Sequence, residues 1–543
     1  MGLLWVVAAV MTAMAKQKRS EKICLSVDTR KPTNQILPSI ADNINIFEVG
    51  NSFYTTDLEF PEYNEFEFVK WVQLMMCTGG SKNRDLFKNP EDRSLLTDYD
   101  FNRLIINCEG ILKLGARPHL KLGAVPLKLC TDPKSIGFDF NVFPPDSYEH
   151  YYAYIKSIIE ALVEHFGKEE VMSWRFGCLD EYENGSCFRA RSGDPDESFE
   201  AYCKIYDYTV QALVDVLGDN VFVGAHSMSV LEGLWDERRF IEHVAKGKNW
   251  ANGGNGTKIN YLSVSFYDNA PGNLSRKSLT NTIKPLQEKA SECGLENLIY
   301  GVDEGRILRG TKGSLDDILN SRASGYTWQA AEDARLFSEA ISLGMDYFSA
   351  WNYLTGGNRA GFPTVSYHVA KNMAGFKGYQ RLNVEYPLRK EGQKEIGCIA
   401  GVNGNNVKLM LYSFSEDIHA RDKSEIDINI RLPFNKGTIK VTTTPVDDDC
   451  NYFDDWQEDQ KKYNITNEAF GYSPDDGQVE ASIILRDVNI RKLYIEKLRD
   501  KYIKCAELHP VIKKTMVKNG TYRDVMTIKD NSVLFIDITR NEK

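Results

Sequence analysis

Two acidic dipeptides, Asp180-Glu181 and Asp303-Glu304, each follow a short apolar run, 171–179 before the first and 298–302 before the second. Paired carboxyl groups facing one cleft are the apparatus of glycosidic-bond cleavage. One, kept protonated by a raised pKa, protonates the departing oxygen; the other attacks the anomeric carbon or activates a water. A separation of about 5–5.5 Å gives retention of configuration and about 6.5–9.5 Å gives inversion. A single Asp-Glu after an apolar run is more often a helix cap or a solvated loop. Two of them, at equivalent places in a repeating pattern, point to a site.

Other polar groups stand at the ends of similar runs: His226 and Ser227 after 221–225, Tyr267 and Asp268 after 261–266, Trp351 and Asn352 at the close of 345–351. A Tyr267 hydroxyl donating to a carboxylate would hold it ionised, because donors to the charged form lower a pKa. Trp351 would offer a sugar ring an apolar platform. Lys121 and Arg306 would suit an acidic sugar, and Asp180, His226 and Asn352 would complete a substrate-binding set. Taken singly, each has a plainer reading: a capped rim for Tyr267, core packing for Trp351, solvated cations for Lys121 and Arg306.

The elements that would position these groups are legible in the pattern. Short apolar runs at 36–40, 69–76, 117–123, 171–179, 221–225, 261–266, 298–302 and 345–351 alternate with amphipathic stretches, the longest at 148–166 and 198–217. That alternation predicts parallel βαβ units. Eight units over 35–377 predict an α/β fold, a closed (β/α)8 TIM barrel whose active site lies at the C-terminal ends of the strands. Strands four and seven then deliver the two dipeptides to one rim. At ~31 residues per unit, three units take about 95 residues; Glu181 and Glu304 are 123 apart, which implies enlarged loops. An open doubly wound sheet usually carries a Gly-rich phosphate turn, and the chain has none.

From 378 to 543 the pattern changes to short strands (395–400, 407–412, 426–430, 438–443, 481–485) with Gly/Asn turns, which predicts an antiparallel β-sandwich. A strand near Ile23, within 16–34, and one near Val533 are expected to join it. The acidic stretch 452–476 reads as a surface loop. A net charge of −10 argues against a nucleic-acid partner. No nucleotide cradle, serine nucleophile elbow or zinc spacing is present, so no cofactor and no metal are expected. Eleven cysteines are scattered without a C-x-x-C pair; Cys178 and Cys187 are near enough in sequence to pair, though nothing requires it. Sequons occur at Asn184, Asn255, Asn273, Asn464 and Asn519. Residues 1–15, ending Ala13-Met14-Ala15, read as a secretory signal peptide without an N-terminal basic residue, and are too short to span a bilayer. A secreted, periplasmic or cell-surface location follows, and a homo-oligomer is left open.

The chain resembles glycoside hydrolase family 39 from about Ile36 to Leu411. Leu114-Gly115-Ala116-Arg117-Pro118 through Leu122-Gly123-Ala124-Val125-Pro126 is similar to that family's third-strand segment. Phe143-Pro144-Pro145-Asp146-Ser147-Tyr148 and Trp174-Arg175-Phe176 resemble its approach to the acid/base strand, and Phe348-Ser349-Ala350-Trp351 its eighth strand. The resemblance implies Glu181 as general acid/base, Glu304 as nucleophile, a retaining mechanism and a C-terminal β-sandwich. It also implies a carbohydrate substrate: a xyloside, arabinoside, galactoside or uronide. The chain departs from the pattern at Asp180 (Asn in relatives), Ser265 (often His), Tyr182 (Pro) and Gly305 (an aromatic). Two other readings stand beside this one: a carbohydrate-binding relative that has lost turnover, and a barrel enzyme using both dipeptides as metal ligands. Against the latter counts the lack of a His beside either pair in sequence.

Overall fold

The computed structural model describes residues 23–46, 67–137, 139–228, 233–268, 278–307, 327–349, 362–385, 394–466 and 487–540. Residues 1–15, the strand expected at 481–485, Trp351 and Asn352 lie outside them, as do the side chains of Arg306 and Asp268.

A long strand β1 (Ile23–Ile36) precedes eight short ones: β2 (Asn43–Ile46), β3 (Trp71–Leu74), β4 (Arg117–Leu122), β5 (Arg175–Cys178), β6 (Phe222–Ser227), β7 (Tyr261–Asp268), β8 (Ile299–Ile307) and β9 (Tyr347–Phe348). The eight lie in sequence order in one sheet with every neighbouring pair parallel. The Phe348 amide donates to the Ile40 carbonyl just ahead of β2 at 2.7 Å, bringing the last strand back to the first. This is the expected TIM barrel. Its first strand is not the apolar run 36–40: Pro38 removes a ladder donor there, and the strand forms instead on Asn43-Ile44-Asn45-Ile46. The fourth is shorter than expected, because 168–172 forms a one-turn helix, Lys168–Met172.

The helices between the strands follow their apolar spacing. In Tyr148–Phe166 the buried residues Tyr151, Tyr154, Ile155, Ile158, Ile159 and Leu162 form one stripe, the Ser147 side chain accepts from the His150 amide, and Gly167 at φ +86° ends the helix. None of the described helices is long and apolar enough to cross a membrane.

The barrel interior is polar. In β4 Leu120 and Leu122 pack outward into the helix layer, while His119 and Lys121 alternate inward. The Arg175 guanidinium lies 4.0 Å from the Trp71 ring centroid, 5.6 Å from that of Phe222 and 5.2 Å from that of Tyr347. His119 Nε2 and Tyr261 Oη are 2.8 Å apart. Gly224 and Gly301 make room for the rings: a Cβ would fall 2.3 Å from Tyr261 and 2.2 Å from Tyr347. Lys121 Nζ pairs with Asp303 Oδ2, both side chains at 0% exposure, and Tyr347 Oη donates to Asp303 Oδ1 at 2.6 Å. Lys121 therefore does not face the rim as a partner for an acidic sugar; its charge is used inside the barrel. Burial alone would raise the Asp303 pKa, but Lys121, with His226 and His119, holds it well below the carboxylate range. Lys121→Ala would strand a buried carboxylate, at a cost of about 3–5 kcal/mol. We expect its urea midpoint to fall accordingly; an unchanged midpoint would show that the pair does not support the fold.

The second unit is a nine-stranded sheet in the order β15-β14-β17-β12-β11-β10-β1-β13-β16, from β10 (Gln380–Glu385), β11 (Glu395–Asn403), β12 (Asn406–Phe414), β13 (Lys423–Arg431), β14 (Gly437–Val446), β15 (Val511–Val517), β16 (Thr521–Lys529) and β17 (Ser532–Arg540). Strands β16 and β17 are joined by Asp530-Asn531 alone, yet they stand far apart in this order, so the sheet folds over on itself around Leu25, Leu409, Ile428, Ile430 and Ile536. β1 and β17 join it as expected. One pairing, β1 with β13, is parallel, so the sheet is mixed rather than wholly antiparallel. Residues 453–462, expected in a loop, form a helix (Phe453–Lys462): Phe453 and Trp456 are buried, and Asp459 accepts from Tyr502 Oη at 2.8 Å. The outer face of the sheet packs on the barrel, where Trp328 Nε1 donates to the Ser415 carbonyl at 2.9 Å and its ring meets Phe414. All eleven cysteines are free, and Cys178 Sγ faces Thr209 rather than Cys187.

Candidate active site

The C-terminal ends of β5 to β8 bring six side chains to one place: Asp180, Glu181, His226, Ser265, Tyr267 and Glu304. Beyond β5 the backbone turns sharply: Leu179 (φ +55°) and Glu181 (φ +39°) both adopt left-handed conformations that cost a non-glycine residue energy. The Asn184 amide donates to the Glu181 carbonyl at 2.7 Å and the Tyr182 amide to the His226 carbonyl at 2.8 Å, fixing the turn against β6. Glu181 Oε1 accepts from Ser265 Oγ at 2.7 Å, and Oε2 accepts from Asn184 Nδ2 at 2.6 Å, with Cys187 Sγ at 3.7 Å. The side-chain nitrogen of one sequon asparagine is thus engaged at this carboxylate.

Glu304 reaches the same rim by a different device. Opposite β7, Val264 pairs with Val302 but Ser265 pairs with Glu304, so Asp303 is an extra residue in β8. In a regular strand Asp303 and Glu304 would face opposite sides of the sheet; the bulge re-aims them. Asp303 serves the Lys121 pair inside the barrel, its carbonyl accepting from Asn45 Nδ2 at 2.7 Å and Gln73 Nε2 at 3.2 Å. Glu304 Oε2 accepts from Tyr267 Oη at 2.6 Å, the contact expected of Tyr267.

Asp180, 5% exposed, does not project into open space. Its Oδ1 lies 2.5 Å from His226 Nδ1, and His226 Nε2 lies 2.8 Å from Ser265 Oγ. Asp180, His226 and Glu304 each bring a ligand-type atom within 4.8 Å of the others, so a histidine does stand beside the acidic pairs in space although none does in sequence. Both ring nitrogens of His226 are already taken, by Asp180 and Ser265, so a metal would have to displace one of them.

Three carboxyl groups in one pocket perturb one another. Burial, then the Asp180 charge, pushes Glu304 up to about 8; burial, with the Glu181 charge adding, pushes Asp180 up to about 7; burial, then the Glu304 charge, raises Glu181. Burial, then the nearby Lys121 charge, keeps His226 below its usual range and hence neutral. These carboxyls titrate as a coupled set, and ionising them costs the folded state energy as pH rises from about 4 to 8.

Of the sequence-expected residues, Asp180, Glu181, His226, Tyr267 and Glu304 are brought together. Ser265 reads in the sequence only as a departure from the family pattern and Asn184 only as a sequon; both contact Glu181. Ser265 lies two residues before Tyr267, the spacing that puts both on one face of a strand, and Asn184 lies three after Glu181, within reach across a tight turn.

Residues 82–299 match the family model for glycosyl hydrolases family 39. A beta-xylosidase of Caldicellulosiruptor saccharolyticus is 20% identical over 371 residues, 64% of this chain and 69% of that protein. Among solved structures, a monomeric beta-xylosidase from Caulobacter crescentus CB15 superposes with a TM-score of 0.65 at 13% identity, covering 96% of this chain and 100% of that one. The family 39 enzyme from Xanthomonas axonopodis pv. citri gives 0.63 at 12% identity, covering 97% and 99%. At that identity the two structures speak for the fold, a barrel with a β domain.

Proposed function

We propose that the chain, whose residues 82–299 match the family model for glycosyl hydrolases family 39, is a glycosidase of that family, and that it cleaves terminal or short-oligosaccharide glycosides with retention, by double displacement on Glu304 with Glu181 as acid/base. The carrying observation is the place of Ser265. It stands opposite Glu304 in the β7–β8 ladder and also donates to Glu181. Neighbouring strands lie about 4.8 Å apart, so one residue ties both carboxyls to a single narrow pocket, as retention requires.

In this reading Glu304 attacks the anomeric carbon while Glu181 protonates the departing oxygen; Glu181 then takes a proton from the water that releases the sugar. Tyr267 donates to Glu304 and favours its anion. The substrate class is a xyloside, arabinoside, galactoside or uronide. An aryl-glycoside panel tests it, together with a 2-fluoro glycosyl fluoride of whichever sugar is cleaved. The label is expected on Glu304. A panel in which every sugar binds but none is hydrolysed would favour a relative that has lost turnover.

Asp180→Asn tests the three-carboxyl pocket. It removes the charge that helps raise Glu304 while keeping the side-chain shape. The acid limb of kcat/KM, which reports the nucleophile in the free enzyme, should move to lower pH. Since a raised carboxylate pKa costs stability above its unfolded value, the variant should also melt higher than wild type at pH 8. An unmoved limb would uncouple Asp180 from Glu304.

A further inference from the structure

Four side chains form an unbroken line of short contacts: Asp180 Oδ1 to His226 Nδ1 at 2.5 Å, His226 Nε2 to Ser265 Oγ at 2.8 Å, Ser265 Oγ to Glu181 Oε1 at 2.7 Å. Three of the four are nearly closed to solvent, with Asp180 at 5%, His226 at 1% and Ser265 at 4% exposure, so bulk water does not compete along the line. Two of them, Asp180 and Ser265, are positions where the chain departs from the family pattern. Other groups facing the line are Glu304, which hydrogen-bonds Asp180 and accepts from Tyr267, Cys187 beside Glu181, and Lys121 with Asp303 behind His226.

We propose that Asp180 is the proton reservoir of Glu181, reached through His226 and Ser265, and that these three are positioning residues that act through the acid/base. Resting on the retaining mechanism above, the proposal adds where the catalytic proton is kept.

The line is satisfied in two arrangements. In the first, Asp180 is protonated and donates to His226 Nδ1, Nε2–H donates to Ser265 Oγ, and Ser265 donates to ionised Glu181. In the second, every bond is reversed: Glu181 is protonated and donates to Ser265, Ser265 donates to His226 Nε2, and Nδ1–H donates to ionised Asp180. Three proton hops interconvert them, with three protons and one negative charge in each. His226 stays neutral at both ends, as its depressed pKa supports.

The same count covers a turnover. In the reactive form, with a single proton shared among the three carboxyls, Asp180 is neutral while Glu181 and Glu304 are anions. The hops place the proton on Glu181, which gives it to the leaving oxygen as the glycosidic C–O bond breaks and Glu304 forms its bond to the anomeric carbon. Glu304 has now lost its charge and Asp180 has gained one. In the second half, water attacks, its proton passes through Glu181 back to Asp180, and Glu304 leaves as the anion. The pocket holds two negative charges throughout and never three.

The test uses the full chain and aryl glycosides of the cleaved sugar with poor and good leaving groups. Ser265→Ala cuts the line: we expect kcat on the poor leaving group to fall about 10- to 100-fold, part of the range general acid catalysis supplies. Ser265→Thr, which keeps the hydroxyl, should restore most of it. Asp180→Asn should lose a similar factor, and the double variant no more than either, since both cut one line. Losses that multiply, or a Ser265→Ala enzyme with wild-type kcat, would overturn the relay. A second readout needs no substrate: the 15N shifts of His226, assigned with His226→Gln, should show a neutral ring that changes tautomer between Nδ1–H and Nε2–H with pH. A ring protonated on both nitrogens, or locked in one tautomer, would also overturn it. If Glu181→Ala itself shows no dependence on leaving group, the mechanism beneath the relay has failed; if it does while Ser265→Ala does not, the relay alone has.

Discussion

Glu304→Gln is expected to abolish turnover, by roughly 10⁴- to 10⁶-fold in kcat, the scale seen when a covalent catalyst is removed. That corresponds to about 5–8 kcal/mol of transition-state stabilisation. The amide has the shape of the acid but cannot form the glycosyl ester, and it can still accept from Tyr267 Oη, whose 2.6 Å contact helps hold the native side chain. Because Gln carries no charge, the repulsion from Glu304 that helps raise Glu181 disappears. The variant should therefore melt no lower than wild type, and should melt higher above pH 7. Loss of activity with retained melting places the effect in chemistry. A Glu304→Gln enzyme with wild-type kcat would remove Glu304 from the mechanism.

Glu181→Ala should split by leaving group. On glycosides whose leaving group needs a proton, a loss of about 10²- to 10⁴-fold is expected, the usual contribution of general acid catalysis. On aryl glycosides with very good leaving groups the first step should proceed almost unaided. The second step still lacks its base, so the glycosyl ester should accumulate, visible as a burst of aryl alcohol followed by a slow phase and a lowered KM. Azide, an anion small enough to enter the space left by the carboxyl, should speed that slow phase. Equal loss on all leaving groups would mean that Glu181 holds the fold or the sugar rather than a proton.

How far these residues were readable follows from what each one depends on. The helix Tyr148–Phe166 was legible to the residue because its stripe, its Ser147 cap and the Gly167 stop are all local. The carboxyl positions were legible because they close apolar runs. Lys121 was misplaced because a charged residue at alternate positions of a strand looks the same whether it faces solvent or a polar barrel interior, and its partner Asp303 lies 182 residues away. The bulge that lets Asp303 and Glu304 serve different partners leaves no trace in a linear pattern; it appears only as a slip against β7. The helix Phe453–Lys462 was missed since its support, Tyr502 and Lys501 on Asp459, is tertiary. His226 was expected near the rim, but its pairing with Asp180 and Ser265 could not be, as the three residues come from the ends of three different strands.

The position of β1 sets an order of events at the ribosome. Thr29 Oγ1 donates to the Arg431 carbonyl, 402 residues downstream, within the parallel register of β1 on β13. At translation rates of about 5–20 residues per second, the emerging chain carries Leu25 and Val27 without their lasting neighbours for roughly 20–80 seconds. All eight barrel strands leave the exit tunnel before β13 does. The nascent barrel can therefore close first, while β1 waits as an apolar strand for β10 and then β13, its two partners in the sheet.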